Sequence, residues 1–132
     1  MKDLRILLVD DNELVRKFVY DLLKTIYPGC KIVEGEDGEE IIRNVDEARR
    51  KDEKFDLYFT DNNMPNLDGL EALIQLRNAG NLTPAVIYTA NLEEIAPHIK
   101  QLKSVYGAKK PCEINELKNV INTALASLQD IT

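Results

Sequence analysis

Residues 5–11 have the sequence RILLVDD, in which the apolar run Ile6 to Val9 is followed at once by Asp10 and Asp11. An apolar run without alternation predicts a strand buried on both faces, which is typical of parallel sheets covered by helices. The two aspartates stand where that strand ends. This stretch therefore predicts a parallel α/β fold with acidic groups at the carboxyl edge of its sheet.

Short apolar runs alternate with segments of helical period along the rest of the chain, a pattern that predicts βα units. Because parallel crossovers are right-handed, five such units predict a doubly wound sheet with helices on both faces. The 132 residues are expected to form one domain over residues 1–132, with no output domain in this chain. The predicted strands cover residues 5–9, 31–34, 55–60, 85–89 and 107–110, and the predicted helices cover about 13–26, 38–48, 70–78, 92–103 and 114–128.

Apolar spacing predicts which face of the first and last helices packs on the sheet. Pro97 lies inside the fourth helix, where a missing N–H and a ring clash predict a kink or a delayed start. In the first helix the predicted buried stripe is Leu14, Phe18, Leu22 and Ile26, and in the last it is Ile114, Leu117, Val120, Ile121, Leu125 and Leu128.

The charge balance and the length of the apolar runs exclude several classes of protein. The chain has 23 acidic and 17 basic residues, a formal net charge of −6, which disfavours direct binding to the phosphates of DNA. Its longest apolar runs are far shorter than the roughly 18 residues of a membrane span, and no signal-peptide core follows Met1. We therefore predict a cytoplasmic protein without a membrane segment.

Five polar residues end or follow the predicted strands: Asp10, Asp11, Asp61, Thr89 and Lys110. Each has an ordinary structural explanation by itself, since strand-end aspartates often cap the next helix. Ligands of doubly wound sheets bind outside the carboxyl ends of the strands, where these residues are expected to meet. Three carboxylates at one place repel unless a cation neutralises them, and an oxygen-only set without His or Cys suits Mg²⁺.

A site of this composition suits phosphoryl transfer. Mg²⁺ held by one or two carboxylates typically bridges to phosphate oxygens, and a carboxylate can itself act as the nucleophile, giving an aspartyl phosphate. Lys110 would neutralise one phosphoryl oxygen and Thr89 would donate a hydrogen bond to another. The glycines form no nucleotide-binding loop after a strand, so the prediction rests on the aspartates.

Four stretches together resemble the signature blocks of the response-regulator receiver domain of two-component signalling. They are ILLVDD at residues 6–11, DNNMPNLDG at 61–69, YTA at 88–90 and KP at 110–111, in the family's order and over nearly the whole chain. The resemblance implies the flavodoxin-like strand order 2-1-3-4-5. It also implies a phosphorylation-controlled switch that catalyses only its own phosphorylation and dephosphorylation.

The resemblance implies a role for each acidic position. Asp61 would accept the phosphoryl group from a phosphohistidine of a sensor histidine kinase or a histidine phosphotransfer protein. Asp11 and Asp61 would bind Mg²⁺ directly, Asn63 would add its backbone carbonyl, and Asp10 would hold the ion through water.

The remaining positions are implied to convert phosphorylation into a change of shape. Thr89 would move toward the phosphorylated aspartate, and Lys110, preceding a cis bond to Pro111, would pair with a phosphoryl oxygen. Binding of a downstream protein target would then change through the fourth helix, fifth strand and fifth helix. Receivers usually carry an aromatic residue three positions before the lysine, where this chain has Gly107, with Tyr106 one residue earlier.

Two adjacent lysines compete for the phosphoryl-pairing role. A strand points alternate side chains to opposite faces, so only one of Lys109 and Lys110 is expected to reach the site. Lys109 stands three residues after Tyr106 and would restore the usual aromatic spacing. We favour Lys110 because it directly precedes Pro111.

Three other interpretations of the chain stay open. A Mg²⁺-dependent phosphohydrolase using an aspartyl-phosphate intermediate would need an acid two positions after its nucleophile, where this chain has Asn63. A receiver-like module could keep the fold without being phosphorylated. The chain could also be the excised receiver domain of a hybrid kinase or of a larger regulator.

Overall fold

The computed structural model describes residues 3–128, and its five strands form one parallel sheet in the order β2-β1-β3-β4-β5. Five helices alternate with the strands, so the predicted doubly wound α/β fold and its strand order are confirmed. The elements are β1 (Arg5–Val9), α1 (Glu13–Ile26), β2 (Lys31–Gly35), α2 (Gly38–Arg50), β3 (Leu57–Thr60), α3 (Gly69–Asn78), β4 (Ala85–Thr89), α4 (Leu92–Ile99), β5 (Val105–Lys109) and α5 (Ile114–Ala126).

Strand β1 shows why the apolar run folds at the centre of the sheet. Its side chains alternate between two hydrophobic cores: Leu7 and Val9 join the core under α2, α3 and α4, whereas Ile6 and Leu8 join the core under α1 and α5. None of the four is more than 1% exposed. Both faces of the strand are therefore covered, as an unbroken apolar sequence requires.

Helix α1 packs on the sheet with a different face from the predicted one. Leu14 and Phe18 are 82% and 43% exposed, and the buried residues are Val19, Leu22 and Leu23. An α-helix turns about 100° per residue, so residues spaced strictly by four drift about 40° at each step and leave the buried face after two steps. Ile114 of α5, also predicted to be buried, is 48% exposed.

Several predicted element boundaries were wrong, among them those of β5, β3 and α4. Strand β5 covers Val105–Lys109 rather than 107–110 because its ladder with β4 begins at the Ala85–Val105 pair. Strand β3 begins at Leu57 rather than residue 55, where its pairing with Ile6 of β1 starts.

Helix α4 ends at Ile99 rather than 103, and it contains Pro97. The chain must then turn back toward the sheet within a few residues, and Ser104 does so with a positive φ of 58°. Within residues 3–128, no helix is long and apolar enough to cross a membrane.

Candidate functional site

The register of the two central strands brings three carboxylates together at the carboxyl edge of the sheet. Val9 of β1 is the partner of Thr60 of β3, so the residues that follow them, Asp10 and Asp61, lie side by side. The backbone N–H of Asp61 donates to the carbonyl oxygen of Val9 at 3.0 Å. One carboxylate oxygen each of Asp10, Asp11 and Asp61 lies within 4.8 Å of the other two.

Among residues 3–128, one ammonium group contacts this acidic cluster. Lys110 Nζ lies 2.8 Å from Asp10 Oδ2 and 3.2 Å from Asp61 Oδ2, and its side chain is only 17% exposed. The adjacent Lys109 points away and forms an ion pair with Glu93 of α4. Of the two lysines, the structure therefore brings only Lys110 to the aspartates. Three carboxylates and one ammonium leave two formal negative charges.

Asp10 is the most buried member of the cluster. It is 3% exposed, and its Oδ1 accepts a hydrogen bond from the backbone N–H of Asn12 at 2.9 Å. Arg16 of α1 donates from Nη1 to the Asp10 carbonyl oxygen at 2.6 Å and from Nε to Glu34 Oε1 at 3.1 Å. These contacts fix the end of β1 against β2 and orient the carboxylate.

Both carboxylate oxygens of Asp61 have a partner. Oδ1 accepts a hydrogen bond from the backbone N–H of Asn62 at 2.7 Å, and Oδ2 contacts Lys110. Burial raises the pKa of Asp61, Lys110 lowers it, and the negative charge of Asp10 raises it again, so that the net shift is upward. The ionised form is therefore less stable in this site than in water.

Lys110 shows the complementary shift. Burial alone would lower the pKa of its ammonium group, but hydrogen bonds and charge interactions with Asp10 and Asp61 outweigh burial and raise it. Lys110 is therefore held in its charged form. The Lys110–Pro111 peptide bond is cis, as the resemblance implies.

The loop between β3 and α3 is held tightly around Asp61. Asn62 is 4% exposed, and its Oδ1 accepts a hydrogen bond from the backbone N–H of Leu70 at 2.9 Å. A Cβ at Gly69 would overlap the carbonyl oxygen of Asp61, so this position requires glycine. Asn63 is exposed two residues after Asp61, and its Oδ1 accepts a hydrogen bond from Asn62 Nδ2 at 3.1 Å.

Thr89 ends β4, the strand next to β3, and is 1% exposed. Its Oγ1 accepts a long hydrogen bond of 3.4 Å from the backbone N–H of Asn91. Its carbonyl oxygen accepts one of 2.9 Å from the backbone N–H of Lys110. The five strand-end residues singled out in the sequence thus lie at the same edge of the sheet: Thr89 is the last residue of β4, and the other four follow β1, β3 and β5.

The residues present fit a hard divalent cation. The cluster offers only oxygen ligands, which Mg²⁺ prefers, and its excess of two negative charges matches the charge of one such ion. Asp11 is exposed, so the cluster is open to solvent on one side. Mg²⁺ usually keeps several waters, and a site with one open side accommodates them.

The profile of the response regulator receiver domain matches residues 6–122 of the chain. The chain belongs to this family. The receiver is 34% identical over 90 residues to the two-component response regulator ORR41 of Oryza sativa subsp. japonica, a match that covers 68% of each protein. It is 37% identical over 75 residues to the CAI-1 autoinducer sensor kinase/phosphatase CqsS of Vibrio cholerae. That match covers 57% of the receiver but only 10% of CqsS.

Solved structures show the same fold. The response regulator TrrA of Thermotoga maritima, in complex with Mg²⁺-BeF, superposes on the receiver with a TM-score of 0.74 at 25% identity. The superposition covers 92% of this chain and 99% of TrrA. The arrangement of five strands and five helices is therefore that of known receivers.

Sequence reasoning missed some of the residues that hold the receiver's site in place. Arg16 lies in a helix among other charged residues, and only the structure shows that it reaches the Asp10 carbonyl. Asp37 follows Gly35 and Glu36 and precedes Gly38, so the sequence indicates only a turn at this position. In the structure its Oδ2 accepts a hydrogen bond of 2.7 Å from Asn66 Nδ2, which ties α2 to the loop after Asp61.

Proposed function

We propose that this receiver accepts a phosphoryl group on Asp61 from a phosphohistidine, in a reaction that depends on Mg²⁺. The observation that carries the proposal is the group of three carboxylates at Asp10, Asp11 and Asp61, which among the described residues is contacted by one ammonium group, that of Lys110, so that two negative charges remain in excess. Asp11 and Asp61 would hold the ion directly, Asn63 through its carbonyl and Asp10 through water. Bound Mg²⁺ would supply charge for the phosphoryl oxygens.

The transfer step needs few groups from the chain. A carboxylate oxygen of Asp61 forms a bond to phosphorus while the bond between phosphorus and the histidine nitrogen breaks, and the imidazole leaves with the electron pair. The product is an acyl phosphate. Lys110, already 3.2 Å from Asp61 Oδ2, would pair with a phosphoryl oxygen, and the hydroxyl of Thr89 would donate to another.

Phosphorylation by a small donor tests this proposal without knowledge of the partner. The chain is incubated with acetyl phosphate and Mg²⁺, and its intact mass is measured. We expect the mass of one phosphoryl group to be added to the wild type and to Asp37→Asn, and to be absent from Asp61→Asn. Labelling of Asp61→Asn at the wild-type rate would contradict the assignment.

Exposed apolar side chains next to the site favour a protein as the physiological donor. Leu14, Phe18 and Ile114 are the exposed large hydrophobic residues of the described chain. Helices α1 and α5 lie on one face of the sheet and start at the same edge, and Tyr27 Oη donates to Asn122 Oδ1 at 2.5 Å. Along the helix axes Phe18 lies about 13.5 Å before Tyr27, and Ile114 about 12 Å before Asn122, so both exposed side chains lie on the side of this contact that faces the edge with Asp61.

These exposed side chains would contact the phosphohistidine-bearing protein, a sensor histidine kinase or a histidine phosphotransfer protein, because a donor must cover the edge that carries Asp61. Phe18→Ser is expected to slow transfer from a phosphorylated histidine phosphotransfer protein at least tenfold. The rate with acetyl phosphate should not change. Equal rates for Phe18→Ser and wild type with the protein donor would show that Phe18 is not part of the docking surface.

The output would be a change in binding of a downstream protein target through α4, β5 and α5, in the cytoplasm and without direct DNA binding. The contacts of helix α4 with β5 include the Glu93–Lys109 ion pair and the packing of Leu92 and Ile99 beside Gly107. A Cβ at Gly107 would overlap Leu92 Cδ1, so a leucine of α4 lies next to the position at which receivers usually carry an aromatic residue. Hydrogen exchange with and without beryllofluoride is expected to differ between residues 90 and 110, and identical exchange would contradict the switch.

A further inference from the structure

The ammonium group of Lys110 has an aromatic ring beside it as well as two carboxylates. Lys110 Nζ lies 5.3 Å from the ring centroid of Tyr88, the residue that precedes Thr89 on β4. This distance is within the roughly 6 Å at which a cation is attracted to the face of an aromatic ring. A lysine ammonium has three donor hydrogens; the Lys110 ammonium donates one to Asp10 Oδ2 and forms an ion pair with Asp61 Oδ2.

Tyr88 itself is held in place by the core. It is 6% exposed, and its ring packs against Phe59 with centroids 5.9 Å apart and planes inclined by 60°. Phe59 is 2% exposed in the middle of β3. A ring fixed in this way forms a rigid wall on one side of the Lys110 side chain.

The ring of Tyr88 matters when Lys110 changes partner on phosphorylation, so this inference rests on the proposed function. Before transfer Lys110 is paired with Asp10 and Asp61, and afterwards it must pair with a phosphoryl oxygen. A lysine side chain has four rotatable bonds, so an ammonium released from one carboxylate can move to many other conformations. An aromatic face attracts the cation without competing for its donor hydrogens.

We propose that Tyr88 is a positioning residue, whose ring keeps the ammonium of Lys110 at the mouth of the site while that ammonium exchanges a carboxylate partner for a phosphoryl oxygen. The hydroxyl of Tyr88 has no part in this role, so Tyr88→Phe should preserve it. Tyr88→Leu keeps an apolar side chain but removes the aromatic face.

A double-mutant cycle on the acetyl phosphate reaction separates positioning from a general effect on the fold. Phosphorylation rates are measured for wild type, Tyr88→Leu, Lys110→Ala and the double variant, with Tyr88→Phe and Tyr106→Leu as controls. We expect Tyr88→Leu to lower the rate about three- to tenfold in the wild-type background and by less than about twofold in the Lys110→Ala background. Tyr88→Phe and Tyr106→Leu should remain within about twofold of wild type.

Equal losses in the two backgrounds would overturn the inference, because a structural defect acts whether or not Lys110 is present. If Tyr88→Leu does not fold, Tyr88→Met replaces it in the cycle. The ring current on the Lys110 side-chain protons gives a readout independent of phosphorylation: an upfield shift is expected in wild type and Tyr88→Phe and should be lost in Tyr88→Leu. Absence of labelling in wild type would instead contradict the proposed function, and an unshifted Lys110 in wild type would contradict the contact with the ring.

Discussion

Two aspartates at the same edge of the sheet, Asp37 after β2 and Asp61 after β3, have opposite electrostatic environments. Asp37 Oδ1 accepts a hydrogen bond from the backbone N–H of Glu40 at 2.9 Å, and its Oδ2 accepts one from Asn66 Nδ2 at 2.7 Å. Burial alone would raise the pKa of Asp37, but these hydrogen bonds outweigh burial and lower it from 3.8. The pKa of Asp61 is raised, because burial and the charge of Asp10 outweigh Lys110.

The difference separates a structural carboxylate, Asp37, from the proposed phosphoacceptor, Asp61. The fold itself satisfies the charge of Asp37, whose hydrogen bonds cap α2 and hold the loop after β3. The described residues leave the charge around Asp61 in excess, and the proposed Mg²⁺ would supply the rest. Both aspartates stand within two residues of a strand end, so the surrounding partners and not the position decide the role.

The largest effect is expected from removing the one cation that partly compensates Asp61. Lys110→Ala should slow phosphorylation by acetyl phosphate about a hundredfold, the lower end of what removal of one preorganised charge-stabilising donor costs. Lys109→Ala should change the rate by less than about twofold, since its exposed ion pair with Glu93 lies away from the aspartates. The reverse order of the two variants would show that Lys109 serves the site.

A second comparison removes carboxylates rather than the cation. Asp11→Ala should weaken Mg²⁺ binding by more than about tenfold in calorimetry. Mutation of a residue that only hydrogen-bonds to a metal ligand already lowers metal affinity by about that much, and Asp11 is proposed to be a direct ligand. Asp37→Ala should leave the affinity unchanged, because Asp37 is not among the clustered carboxylates. Unchanged affinity in Asp11→Ala would move the metal site elsewhere.

The structural role of Asp37 predicts a moderate loss of stability. Asp37→Ala removes the side-chain cap of α2 and should lower the free energy of unfolding by about 1 kcal/mol in urea titrations. Asp37→Asn should lose much less, since asparagine is an equally good cap residue. Equal losses in the two variants would show that the charge of Asp37, and not its hydrogen bonds, holds the turn.

The smallest effect is in the pH dependence of stability, measured without Mg²⁺. The pKa of Asp61 is raised on folding, so its ionised form destabilises the fold, and Asp61→Asn should be more stable than wild type at pH 7. That advantage should shrink as the pH falls through the folded-state pKa toward 3.8. Asp37 has a lowered pKa and stabilises the fold at pH values above 3.8, a contribution lost as the pH falls through its folded-state pKa.

Variants at the two positions should therefore change the acid side of the stability curve in opposite directions. Compared with wild type, Asp37→Asn should lose less stability on acidification, and Asp61→Asn should lose more. Chemical unfolding at a series of pH values measures both. Parallel curves for the two variants would contradict the opposite pKa shifts.

The sequence contained most of the information on the fold and on the position of the site. The unbroken run from Ile6 to Val9 and the strand ending at Thr89 could be placed because buried parallel strands need continuous apolar residues. Strand β5 could not be bounded in this way: its start at Val105 depends on pairing with Ala85, a residue distant in sequence.

Contacts between elements that are distant in sequence also could not be predicted from the apolar pattern. Spacing by four suggested that Leu14 and Phe18 are buried, but the helix surface is set by packing of Val19 and Leu23 against the sheet. The choice between Lys109 and Lys110 depends on which side chain reaches β1 and β3, which alternation alone does not determine. The ring of Tyr88 beneath that lysine has no signature in the sequence.

The most direct test of the account is chemical identification of the phosphorylated residue. Wild-type protein is incubated with acetyl phosphate, with Mg²⁺ or with EDTA, and then treated with borohydride, which reduces an aspartyl phosphate to homoserine. Peptide mass spectrometry is expected to find homoserine at position 61 alone, and only in the sample with Mg²⁺. Homoserine at position 10, 11 or 37, or equal conversion of Asp61 in EDTA, would contradict the account.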